Sequence, residues 1–195
     1  IPRTLNLSLS KVRDISLITT PPTGRKSVKT IVSRYSKSLV FEAIQREFYR
    51  DGQVFYLLNN VSMLEEKKKE ISDRFPSKTI AFAHGQLRPK ELSKVMESFI
   101  GKEIDLLVCT TIIESGIDIE NANTLIVEES ENYGLSQLHQ IRGRVGRSKR
   151  EAYAYFFLNE NKELKNKASE RIEALQENES LLSGFSLAMR DLEIR

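Results

Sequence analysis

The sequence predicts an α/β fold: a parallel sheet covered by helices on both faces, with a helical appendage at the C-terminal end. Three observations predict it. Short apolar runs recur along the chain, among them "QVFYLL" (53–58), "IDLLVCTT" (104–111) and "TLIVEE" (124–129), with almost no polar alternation. Such runs suit strands buried on both faces, as parallel strands are. Between them lie segments with helical apolar spacing, which give the strand–helix alternation of a layered α/β domain. After residue 160 no further strand pattern occurs.

Taken in order, residues 1–27 contain "DISLIT", read as a short strand, and then "TTPPTGRKS", where Pro21, Pro22 and Gly24 mark a turn or linker. "VKTIVSRY" (28–35) alternates apolar and polar residues like a strand. "SLVFEAIQREFYRDG" (38–52) places Leu39, Ala43, Ile44 and Phe48 on one helical face, with Gly52 as its stop. After the strand 53–58, Ser62 and Glu65 have capping-box spacing and are expected to open the helix "SMLEEKKKEISDRF". Its "EEKKKE" run (65–70) reads as a solvated face. "TIAFAH" (79–84) is the next strand, followed by a helix from about Pro89 to Ile100. Strands at 104–111, 124–129 and 152–158 ("AYAYFFL") complete the set. From Asn161 to Leu182, Leu164, Ala168, Ile172 and Leu175 keep helical spacing in charged text.

Composition narrows the function classes. Charged residues make up 29% of the chain and net charge is only +3, so affinity for nucleic acid has to come from local patches. The single cysteine, Cys109, excludes an internal disulfide and a cysteine-rich zinc site, and fits a reducing cytoplasm. Neither His84 nor His139 sits among other ligand-type residues at metal-binding spacing, so no metal site is expected. No apolar run approaches the roughly 20 residues that span a membrane. The chain opens "IPRTLNLSLS" without a signal peptide or initiator Met, as a piece of a longer protein would.

In parallel α/β sheets, ligands bind beyond the carboxyl ends of the strands. That rule selects the loops "LLNN", "AHGQ", "TTIIESGIDI" and "ESENYG", and the sequence expectation is that all converge on one edge with "QLHQIRGRVGRSKR" (137–150). The latter carries Arg142, Arg144, Arg147, Lys149 and Arg150 with two glycines. Arg144 and Arg147 flank Gly146, which would let backbone approach a ligand, and guanidinium groups grip phosphate oxygens bidentately. The competing reading is a basic helix end that touches nucleic-acid backbone or solvent. In "TTIIESGID", Asp118 could accept a ribose hydroxyl and Gly116 could let backbone pass closely, although a turn satisfying its own Thr and Ser groups explains the stretch equally simply. His84, beside Gly85, is either a phosphate contact or a satisfied structural histidine. No G-x-x-x-x-G-K-[ST] loop exists, "GKE" at 101–103 being its nearest approximation, and no acidic D-E-x-x run follows a strand. The chain therefore reads as half of a nucleotide site.

Together these pieces resemble the superfamily-2 helicases and translocases. "TTIIESGIDIENANTLIV" is similar to motif V, "QLHQIRGRVGRS" to motif VI and "QVFYLLNNV" to motif IV. "AHGQL" is similar to the nucleic-acid-facing loop that follows motif IV. "IPRTL" resembles the end of a first RecA-like domain, and "AMRDLEIR" the start of the TRG (translocation in RecG) motif, whose Arg-Gly loop is absent here. The resemblance implies a tail and linker at 1–24, a second RecA-like domain at 25–160 and a truncated TRG hairpin at 161–195. Gln140 would face the γ-phosphate, with Arg144 and Arg147 as arginine fingers and Arg142 serving packing or interdomain contacts. Gly116 and Asp118 would lie near ATP. Thr110, Thr111, Asn59, His84 and Gly85 would meet DNA backbone, and Arg195 would belong to the coupling loop. ATP and Mg²⁺ would be held mainly by a first RecA-like domain outside this chain. "RTLNLSLSKVRDISLITTPP", "GQVFYLLNNV" and "AMRDLEIR" most closely resemble the branch that couples transcription to nucleotide-excision repair. That branch implies double-stranded DNA as track, with RNA polymerase and excision-repair proteins as partners of other domains, in the bacterial cytoplasm. The alternatives are a RecG-type branch-migration helicase domain and a non-catalytic nucleic-acid-binding module. By itself the chain is expected to be inactive and to bind DNA weakly.

Overall fold

Gln53 through Leu58 are all buried, the condition for a strand that receives side chains from helices on both faces. The computed structural model describes residues 27–110, 121–146 and 150–160. Within them run β1 (Val28–Arg34), α1 (Lys37–Tyr49), β2 (Gln53–Leu57), α2 (Leu64–Arg74), β3 (Ile80–Ala83), α3 (Pro89–Ile100), β4 (Leu106–Cys109), β5 (Ala122–Val127), α4 (Leu135–Arg142) and β6 (Ala152–Leu158). The expected strand at "DISLIT" and the appendage after residue 160 lie outside the described residues.

The six strands form one sheet in the order β1-β6-β5-β2-β4-β3, and every neighbouring pair is parallel. The chain steps one way across the sheet from β1 to β2 to β3, then returns through β4 and β5 to β6. Crossovers between parallel strands are right-handed, so the outward helices fall on one face and the returning helices on the other. Two separate cores follow. Val40, Ala43, Ile44 and Phe48 of α1 and Leu64 and Ile71 of α2 pack on Val54, Tyr56, Val108, Ile126 and Tyr155. Met96 and Phe99 of α3 and Leu135, Leu138 and Ile141 of α4 pack on the alternate residues Phe55, Leu57, Leu107, Leu125 and Phe156. The side-chain alternation of each strand thus divides its residues between two cores. Phe55 and Phe99 meet edge to face at 4.9 Å.

Buried polar groups are tied to backbone or to other side chains. Gln53 Nε2 donates to the carbonyls of Phe99 (2.6 Å) and Ile104 (2.7 Å). Glu47 is fully buried, accepts from Thr124 Oγ1 at 2.6 Å and pairs with Arg50. Gly52 does more than stop a helix: a Cβ there would fall 1.7 Å from Glu47 Oε1, so its missing side chain makes room for this carboxylate. The expected capping box is not used. Asn60 Oδ1 accepts from the Ser62 amide at 3.1 Å, capping a 3₁₀ turn at Val61–Met63, and α2 begins only at Leu64 with no side-chain cap. An Asn two residues earlier, whose Oδ1 takes both the Ser62 amide and its hydroxyl, pre-empts Ser62.

Candidate functional site

The candidates among the described residues separate onto opposite edges of the sheet, which corrects the expectation that they converge. At the carboxyl edge, the Leu58 amide donates to the Cys109 carbonyl at 3.0 Å and the Thr110 amide to the Ala83 carbonyl at 3.3 Å. Asn59, Thr110 and His84 therefore leave three adjacent strands, β2, β4 and β3, side by side. Asn59 and Gly85 are exposed, while Thr110 and His84 are half-buried. The His84 ring stacks parallel on Phe82 with centroids 6.2 Å apart, and its Nδ1 is shielded from solvent with no hydrogen-bond partner among the described residues. Lys68 Nζ lies 5.7 Å over the other end of that stack, the Phe82 ring. Thr111, Gly116, Asp118, Arg147 and Arg195 lie outside the described residues.

The other half of the carboxyl edge is acidic. Glu128, Glu129 and Glu160 join Tyr35, Leu158 and Asn159 around a cavity of about 220 Å³ at the ends of β1, β5 and β6. Beneath it, Lys67 Nζ reaches Glu128 at 3.0 Å, Glu70 at 2.9 Å and the Tyr35 hydroxyl at 3.1 Å, while the Tyr56 hydroxyl bonds Glu128. The Lys67 and Glu128 side chains are only 11% and 12% exposed, so the reading of 65–70 as a wholly solvated face fails at this position. Burial acts to lower the Lys67 pKa, but Glu128, Glu70 and Tyr35 outweigh it and hold the ammonium above the ordinary lysine range. Burial and then Glu128 raise Tyr56. The only sequence signal for this network is the i,i+3 spacing of Lys67 and Glu70.

The arginine stretch ends at the amino edge. Helix α4 starts beyond β5 and runs back along the sheet. It stops at Gly143, whose φ of −68° any residue can adopt. Gln140 is exposed and Arg144 half-buried. Arg142 is 5% exposed; its guanidinium donates to Thr30 Oγ1 at 3.4 Å and to His139 Nδ1 at 3.1 Å, in keeping with a packing residue. Gly146 has φ +75° and donates its amide to the Ala122 carbonyl at 3.3 Å. A Cβ on it would sit 2.8 Å from Ala152 Cβ and 3.0 Å from Val28 Cγ2. Its missing side chain thus makes room for the starts of β1 and β6, a reason for glycine that the sequence reading did not contain.

Comparison with known proteins agrees with this architecture. The model of the helicase conserved C-terminal domain family matches residues 37–149, and the chain belongs to that family. It is 52% identical over all 195 residues to transcription-repair-coupling factors of Staphylococcus haemolyticus and Staphylococcus aureus, and spans 17% of their length. The solved structure of RecG bound to a three-way DNA junction is 34% identical with a TM-score of 0.83, covering 100% of this chain and 26% of that one. The Mycobacterium smegmatis helicase Lhr, at 14% identity and a TM-score of 0.56 over 80% of this chain and 22% of its own, shares the fold.

Proposed function

We propose that this helicase C-terminal domain is the second RecA-like motor domain of an ATP-dependent double-stranded DNA translocase that couples transcription to nucleotide-excision repair by displacing stalled RNA polymerase. The observation that carries the reading is the 52% identity over the whole chain to transcription-repair-coupling factors. In this reading residues 1–24 are the tail of the first motor domain and a linker, 25–160 the second motor domain and 161–195 the start of a coupling hairpin. RNA polymerase and excision-repair proteins meet other domains of the longer protein.

Gln140 and Arg144 stand at the end of α4, where Arg147 follows in sequence, and their donors suit the oxygens of a transferring phosphoryl group. Gly116 and Asp118 complete the nucleotide-facing set. The reading assigns Mg²⁺ to the partner domain, where it would neutralise phosphate charge. The arginines complete the charged cage only when the two domains close, and opening resets it. At the carboxyl edge, Asn59, His84, Gly85 and Thr110 grip DNA backbone; Thr111, next in sequence, is assigned the same role, and Arg195 transmits closure through the coupling loop. Backbone contacts carry no base readout, so binding is sequence-independent and salt-sensitive.

The test is ATP turnover by this chain alone and mixed with a separately expressed first RecA-like domain, with and without duplex DNA. Silence alone and DNA-stimulated turnover on mixing, lost by about 10³-fold or more in Arg147→Ala, is expected. Turnover by the chain alone would overturn the half-site reading. Weakened DNA binding with normal turnover in Arg144→Ala and Arg147→Ala would instead indicate a binding module. In the longer protein, displacement of a stalled RNA polymerase separates this assignment from a RecG-type branch-migration domain.

A further inference from the structure

We infer that His139 is a positioning residue: it holds the Arg142 guanidinium against Thr30, and that clamp fixes the arginine-bearing turn to strand β1. The inference rests on the reading of Arg144 and Arg147 as catalytic arginines. Arginine has donors only, so in the 3.1 Å contact His139 Nδ1 must be the acceptor. That requires a ring with the proton on Nε2 and no positive charge. Burial, and then the neighbouring Arg142 charge, push the His139 pKa down to about 4, which keeps the ring neutral in the working range.

From this ring the chain of contacts continues through Arg142 to Thr30, the third residue of β1. Four residues beyond Arg142, Gly146 is wedged against Val28, the first residue of the same strand, and against Ala152. The turn carrying Arg144 is thereby pinned at both ends, once by a hydrogen-bonded cation and once by a close backbone approach. An arginine at 5% exposure carries a desolvation cost that an apolar side chain of the same volume would avoid. What the apolar residue would lack is direction: the planar guanidinium fork orients the helix end against a strand hydroxyl, where leucine or methionine would only fill space. Catalytic arginines act through geometry, and a displacement of about 1 Å can cost on the order of 10²-fold in rate. The strand to which the turn carrying Arg144 is pinned, β1, is also the one that the proposed interdomain linker enters, so linker and turn share one support.

The experiment compares His139→Leu, His139→Gln and Thr30→Val in the full-length protein that carries this domain, by DNA-stimulated ATP turnover and thermal melting. Glutamine keeps an acceptor, leucine does not, and valine removes the Thr30 oxygen at nearly constant shape. Expected is a fall in kcat of about tenfold or more for His139→Leu and Thr30→Val, with KM for ATP within about twofold, and recovery of most of kcat in His139→Gln. Equal turnover in the leucine and glutamine variants overturns the inference, whatever their melting temperatures. Arg144→Ala and Arg147→Ala run alongside: if these keep full turnover, the arginine reading fails independently of the clamp. A second readout does not depend on turnover. In the ¹⁵N-histidine-labelled chain, which has only two histidines, the His139 nitrogen shifts at pH 7 should report bare Nδ1 and protonated Nε2. A ring protonated at Nδ1 overturns the clamp.

Discussion

The two edges of the sheet are built by different means. At the carboxyl edge, Asn59, Thr110 and His84 directly continue strands, so the register of β2, β4 and β3 aligns them without further help. At the amino edge, Arg144 arrives on a helix of eight residues that has crossed roughly 12 Å back along the sheet, and contacts to β1, β5 and β6 are needed to fix where the turn lands. The rule that ligands gather beyond strand ends therefore finds the first group and misses the second. A site delivered by a helix depends on packing at its far end, and substitutions there act at a distance from the groups they displace.

The sharpest break in this comparison would come from the buried ion network of the carboxyl edge. Lys67→Met should leave Glu128 without its cation beside Tyr56 and destabilise by about 3 kcal/mol, a drop of roughly 10 °C in a thermal melt of a chain this size. A loss under about 1 kcal/mol would show that the network is screened like a surface pair and that the edge gains little rigidity from it.

The next effect belongs to the amino edge and depends on pH. His139 has a folded-state pKa lowered to about 4, from an ordinary value near 6.5. Between those values the unfolded chain takes up a proton that the folded one refuses, so stability is full above pH 6.5 and declines as pH falls toward 4. The loss is at most about 3 kcal/mol. Denaturant melts from pH 7 to 4, with His139→Gln as control, measure it; an unchanged slope in the control would assign the loss elsewhere.

The smallest effect separates the two glycines of the arginine stretch. Gly146→Ala should cost about 2 kcal/mol, because it combines a left-handed φ with a contact 2.8 Å from Ala152 Cβ. Gly143→Ala, at φ −68° with nothing nearer than 3.4 Å, should lie within about 0.5 kcal/mol of the parent. Equal melting temperatures for the two variants would mean that the turn is not held against β1 and β6.

Much of the fold was legible before any coordinates. Strands 53–57, 106–109 and 152–158 fall inside apolar runs, and Pro89 opens α3 as its fixed φ favours. β5 begins two residues before its obvious run, at Ala122, because Asn123 satisfies its side chain on the Asn121 carbonyl and so tolerates burial. Lys67 escaped notice because its charged neighbours Glu65, Glu66 and Lys69 do face solvent, and periodicity alone does not show that an acidic strand end waits across the helix.

By itself the sequence determined the parallel α/β class, the six strands of the sheet, the helicase motifs and the lack of a phosphate-loop motif in this stretch, because periodicity and motif spacing are local properties of a chain. Only the tertiary structure decided that the candidates divide between two edges, that Gly146 accommodates β1 and β6, and that Arg142 is held by His139 and Thr30. The contacts of Arg142 with Thr30 and of Gly146 with Val28 join residues more than a hundred positions apart across the sheet, and strand order, which local pattern does not encode, sets who meets whom.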